Sequence, residues 1–121
     1  VGVARLPSFS NFPVAVEEAT QGSNGDLRAF VTENPQYKDD VLNNLAYFDN
    51  INLVDAISCP MLFSAATIDP VHPYNCIIST FERITSFKSI VVYPDSSDAE
   101  AGICNVDFNR HMMDWLERYL G

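Results

Sequence analysis

The run Pro60-Met61-Leu62-Phe63-Ser64-Ala65-Ala66-Thr67 constrains this chain more than any other stretch. A strand wet on one face alternates apolar and polar residues, and this run does not. Near-continuous apolar strands belong to parallel sheets covered by helices on both faces. The run then breaks into Ile68-Asp69-Pro70-Val71, a lone carboxylate followed by a Pro-rich turn. A carboxylate at that point sits at the C-terminal edge of a sheet, where open α/β folds build their sites.

The flanking segments supply the rest of such a sheet. Val1 to Leu6 alternates weakly before Pro7 and reads as a short strand. Asn11 is an N-cap candidate for a short helix over Pro13 to Thr20, with Pro13 in its first turn. Gln21-Gly22-Ser23-Asn24-Gly25 is turn chemistry, and Asp26 to Glu33 is a second helix closed before Pro35. Lys38 to Phe48 is a third, with Val41, Leu42, Leu45 and Phe48 as its buried stripe. Asp49 to Ile57 is a short helical turn with Leu53, Val54 and Ile57 inward. Pro73 to Ile84 is helical, with Ile77, Ile78, Phe81 and Ile84 on one face. Lys88 to Tyr93 is β-branched and aromatic, hence a strand. A polar loop over Pro94 to Cys104 leads to the clearest helix, Asn105 to Leu120, with Phe108, Met112, Trp115, Leu116, Tyr119 and Leu120 sharing a face.

The order predicts an α/β fold of about three parallel strands with flanking helices, one domain over residues 1–121. Three strands leave an open edge and a bare face. The chain also opens in mid-strand, so it is expected to be the C-terminal part of something larger.

Charge excludes one class of function. Seven Lys and Arg stand against sixteen Asp and Glu, a formal net charge of −9. Nucleic-acid binding needs clustered cations, and these are scattered. No apolar stretch approaches the roughly 20 residues of a membrane span. No basic segment precedes an apolar one, so no signal peptide is visible and the compartment stays unassigned. Cys59, Cys76 and Cys104 are odd in number with no C-x-x-C spacing. They read as structural, Cys59 and Cys76 as small core hydrophobes. Asp95, Asp98, Glu100 and Asp107 lack the Gly turn and terminal Glu of a calcium loop, and read as solvated surface. No metal or cofactor is expected.

Five segments, in order, resemble one family. They are Leu-Pro-Ser-Phe-Ser-Asn-Phe from Leu6 to Phe12, and Ala-Tyr-Phe-Asp-Asn-Ile-Asn-Leu-Val-Asp from Ala46 to Asp55. Ser58-Cys59-Pro60-Met61-Leu62, Ile68-Asp69-Pro70-Val71-His72-Pro73 and Phe87 to Pro94 follow. Together they resemble the C-terminal part of acetyl xylan esterases and cephalosporin C deacetylases, carbohydrate esterases of the α/β-hydrolase fold. The resemblance implies a serine esterase that deacetylates small acetylated saccharides and related esters, as a homo-oligomer. By it, Asp69 is the triad acid that orients a histidine, with Val71 and Phe9 near the acyl pocket.

The chain departs from the family at the other two triad members. The family histidine lies in a Tyr-Pro-x-x-Gly-His-Glu turn. Here that turn reads Tyr93-Pro94-Asp95-Ser96-Ser97-Asp98-Ala99-Glu100, with Asp98 where the histidine would stand. A carboxylate cannot act there as the neutral base. No Gly-x-Ser-x-Gly elbow occurs. His72 shares a turn with Asp69, but three residues of separation make triad geometry awkward, so it reads as a solvent-facing turn residue. His111, within the last helix, reads as surface. Local cap chemistry offers Asp69 another role, capping the next helix. Two expectations follow: an esterase portion inactive by itself, or a degenerate relative serving as a binding or assembly module.

Overall fold

The computed structural model describes residues 1–97 and 102–121, the first two of the latter by backbone alone. Its sheet has three parallel strands, β1 (Gly2–Arg5), β2 (Met61–Ala66) and β3 (Lys88–Tyr93), in that spatial order. The register pairs Gly2 with Met61 and Arg5 with Ser64, then Met61 with Lys88 and Ala66 with Tyr93. At Gly2 a Cβ would stand 2.2 Å from the Met61 sulfur, so any side chain there would displace the end of Met61. Between β1 and β2 run α1 (Phe12–Glu18), α2 (Gly22–Glu33) and α3 (Lys38–Leu45), then 3₁₀ turns at Asn50–Asn52 and Val54–Ala56. Helix α4 (Tyr74–Arg83) joins β2 to β3, and α5 (Gly102–Leu120) ends the chain.

Strand β2 is the centre of the core, buried from Leu62 to Ala66. Successive side chains point to opposite faces. Phe63 packs with Val54, Ile77 and Ile84 on one side and meets the Phe81 ring edge-on at 5.6 Å. On the other side Leu62 borders a cavity shared with Trp115 and His111 of α5, and Phe108 of α5 is buried. The expected double cover of this strand is therefore real. Strands β1 and β3 each pair on one side only among the described residues.

Several expected boundaries move. Helix α2 starts at Gly22, so most of the expected turn is its first coil, and α5 starts at Gly102 rather than Asn105. Helix α3 stops at Leu45, three residues early. Phe48 therefore leaves the helical phase of Val41, Leu42 and Leu45 and lies in the open, as does Leu53. Leu120, the last residue of α5, is also exposed. All three cysteines are free thiols, Cys76 buried and the other two half-buried.

Candidate functional site around Asp69

The turn that follows β2 is held by β3 with its following loop and by the α1–α2 junction. Beyond the last ladder residue, the Thr67 amide donates to the Tyr93 carbonyl at 3.1 Å, and the Ile68 amide to the Ser96 carbonyl at 3.2 Å. The loop leaving β3 thus passes beside the residue before Asp69. From the opposite side the Thr20 and Gln21 amides, at the α1–α2 junction, both donate to the Pro70 carbonyl. The buried Asn24 side chain donates to the Val71 carbonyl at 3.1 Å. Gly22 has φ +65°, and a Cβ there would meet the Val71 side chain at 2.7 Å. Both its conformation and its neighbour demand glycine.

Asp69 is 8% exposed. Its Oδ1 accepts the amides of Val71 at 2.8 Å and His72 at 2.9 Å, an Asx turn. Helix α4 begins later, with Pro73 at its N-cap, so the helix-capping role weighed for Asp69 is not what it does. Its Oδ2 lies 3.3 Å from His72 Nδ1. The His72 side chain is only 15% exposed. The reading of His72 as a solvent-facing turn residue is thus corrected. The Asx turn folds the backbone back on itself, and that brings an i+3 imidazole onto the carboxylate.

The other expected site residues are spread out. Val71 shares the Asp69 turn and packs on Gly22. Phe9 lies on the β1–α1 loop, 53% exposed, its ring 5.7 Å from that of Phe12. With Leu45, Tyr47, Phe48 and Leu53 these rings line an apolar groove of about 440 Å³. No hydrogen bond joins Phe9 to the Asp69 turn among the described residues. His111 is exposed, as expected, with Nε2 3.5 Å from an Asp107 oxygen. Asp107 also accepts from the Tyr93 hydroxyl at 3.0 Å, tying β3 to α5. Burial and then that carboxylate push the Tyr93 phenol up. Asp98 and Glu100 lie outside the described residues. Among those described, no three acidic, His or Cys side chains cluster as a metal site.

One residue escaped the sequence reading. Asp49 is 1% exposed. Its Oδ1 accepts the Asn11 amide at 2.6 Å and the Ile51 amide at 3.2 Å, and its Oδ2 the Phe12 amide at 2.7 Å. Asp49, not Asn11, satisfies the start of α1; the Asn11 side chain donates to Ser79 instead. The neighbouring Asn50 holds the same loop, donating to the Phe9 and Ser8 carbonyls. The loop needs holding. Leu6, Phe9 and Asn11 have φ of 42°, 56° and 55°, a region costing bulky residues about 1–3 kcal/mol each. The signal for this lay in the Tyr-Phe-Asp-Asn segment, where an Asp between aromatic and apolar residues marks a buried carboxylate.

Comparison with known proteins agrees with this architecture. A solved acetyl xylan esterase from Paenibacillus sp. superposes with a TM-score of 0.82 at 20% identity, over 98% of this chain and 37% of that one. Acetyl xylan esterase 1 from Thermoanaerobacterium sp. gives 0.72 at 21% identity, over 89% of this chain and 36% of that one. The chain thus spans little more than a third of the length of these structures. The family model described as acetyl xylan esterase (AXE1) matches residues 2–119, nearly the whole sequence. With that match, and with a sheet of three parallel strands whose central strand leads into Asp69, the chain belongs to the acetyl xylan esterase family.

Proposed function

We propose that these residues form the acid-bearing portion of a serine carboxylic-ester hydrolase acting on small acetylated saccharides. Asp69 is the triad acid in this reading, with Val71 and Phe9 flanking the acyl group. One observation carries it: a nearly buried carboxylate at the end of the central strand, one oxygen fixed by backbone amides and the other presented to an imidazole. That is the arrangement a catalytic acid needs to hold a histidine in one tautomer. The chain has no nucleophile elbow, and an acid without an activated nucleophile and oxyanion donors accelerates nothing. The 121 residues by themselves are therefore inactive. Purified chain is expected to leave a chromogenic acetate ester at its blank rate. Turnover that Asp69→Ala abolishes would overturn the inactivity. In a reading frame that carries a Gly-x-Ser-x-Gly elbow upstream, Asp69→Asn is expected to cost on the order of 10⁴ in kcat; an unchanged kcat removes the acid role.

The second reading is a non-catalytic relative serving as a binding or assembly module, possibilities favoured by the Asp98 substitution in the family's histidine turn. Absence of an elbow upstream would favour it.

A further inference from the structure

The sequence holds two histidines, and neither lies in the loop after Tyr93. We infer that His72 is the imidazole of this site, the general base that the loop after β3 does not supply. The inference rests on Asp69 being the acid.

An acid–base pair needs the carboxylate on Nδ1, so that the ring carries its proton there and turns the Nε2 lone pair outward. Asp69 Oδ2 stands 3.3 Å from His72 Nδ1. The other Asp69 oxygen is taken by the Val71 and His72 amides, so the carboxylate cannot swing away from the ring without breaking its own turn. Among the described residues, Nε2 has no hydrogen-bond partner, although the side chain is 15% exposed. The backbone that carries the ring is clamped as well. Pro70 and Pro73 bracket it, and the Pro70 and Val71 carbonyls are held by the α1–α2 junction. His111 shows the contrast: it is 50% exposed on a helix surface and lies 3.5 Å from an exposed carboxylate through Nε2, leaving no buried acid behind the ring.

In the reaction, His72 Nε2 takes the proton of a serine hydroxyl as the new oxygen–carbon bond forms at the acyl carbon. It returns that proton to the alcohol oxygen as the ester bond breaks. Water then repeats the cycle on the acyl-enzyme, and acetate leaves. The serine comes from a segment bearing an elbow, as in the reading above.

The test needs neither serine nor turnover. Diethyl pyrocarbonate acylates a free imidazole lone pair, and peptide mapping reads each histidine separately. His72 is expected to be carbethoxylated, at Nε2. Asp69→Asn, which no longer holds the Nδ1 proton, is expected to slow it by at least about tenfold while His111 is unchanged. His72→Asn, whose amide can still donate to Asp69, separates the packing role: it is expected to keep the wild-type melting temperature. His72 left unmodified after His111 has fully reacted overturns the inference, and so does an Asp69→Asn rate equal to wild type. If Asp69→Asn does not fold, the tautomer of wild-type His72, read from its ring nitrogen shifts at neutral charge, decides the same point. A proton on Nε2 instead of Nδ1 removes His72 as the base yet leaves Asp69 free to serve an imidazole from elsewhere. An unchanged kcat in Asp69→Asn of the longer frame removes the acid instead.

Discussion

Asp49 and Asp69 are both almost fully buried carboxylates, and they do opposite things with their oxygens. Asp49 spends both on backbone amides, two of them 37 and 38 residues away in sequence. Asp69 spends one on amides two and three residues ahead and leaves the other facing an imidazole. A carboxylate that closes a long loop fastens a fold. In the proposed reading, one that is satisfied locally and keeps an oxygen for a titratable ring serves chemistry. Burial alone does not separate the two roles, but the sequence distance to the partners does.

The largest effect should fall on the fastener. Asp49→Ala removes three charge-assisted hydrogen bonds and strands the amides that start α1, a loss of about 3–5 kcal/mol in equilibrium unfolding. A loss under about 1 kcal/mol would mean the strained β1–α1 loop holds itself, and the comparison would fail. Asp69→Asn keeps an oxygen for the Asx turn and removes the carboxylate charge and the acceptor that faces His72, and its loss should be about 1–2 kcal/mol. If it matches Asp49→Ala, Asp69 is structural too.

Cys76 reports on the difference without global unfolding. Its thiol donates to the Asn11 carbonyl at 3.8 Å, on the loop that Asp49 holds. Burial, then the charges of Glu18 and Asp49, pushes it up to about 12. Alkylation at neutral pH should therefore be slow at Cys76 and faster at Cys59 and Cys104. Asp49→Asn should speed it, by removing that charge as well as by loosening the loop, and Asp69→Asn should not. Equal rates in both variants would show that the two carboxylates restrain the same motion.

Glu17 gives the smallest effect, as an exposed carboxylate on the surface. A hydrogen bond and charge from Lys38 lower it from its ordinary value of 4.5. Its contribution is therefore present above that value and lost as pH falls through the lowered folded-state value. Solvent and salt screen such a pair. Glu17→Gln should lower the unfolding midpoint at neutral pH only slightly and flatten its decline in acid by the same small amount. A neutral-pH loss comparable to Asp69→Asn would contradict the ranking by burial and partner.

The sheet was legible in the sequence because its signals are local. The unbroken apolar run of β2 and the β-branched run of β3 each fix their own strand, and β3 begins and ends where the pattern places it. Helix α3 shows the limit. Its apolar spacing continues to Phe48, but the chain has already left the helix, and Phe48 instead lines a groove with Phe9 and Phe12. Asp69 was visible because a strand end and a proline turn mark it. Its partner was not, since an Asx turn that reaches back onto the carboxylate is a matter of backbone angles rather than residue type. Asp49 was hidden for the reason that makes it important: its partners are remote. Thr80 is a further case. Its buried hydroxyl has no partner among the described residues and borders an apolar cavity of about 240 Å³ that reaches Met61, the end of β2 opposite to Asp69. Nothing in the helical stripe of α4 announces it.

The pairing of Asp69 with His72 is the point on which the chemical half of this account turns, and the ring nitrogens of His72 report it directly. Long-range proton–nitrogen correlation on the wild-type chain, above the imidazole titration, should show His72 protonated at Nδ1 with a slowly exchanging proton, and bare at Nε2. A ring protonated at Nε2, or one exchanging between tautomers as freely as His111, would contradict it.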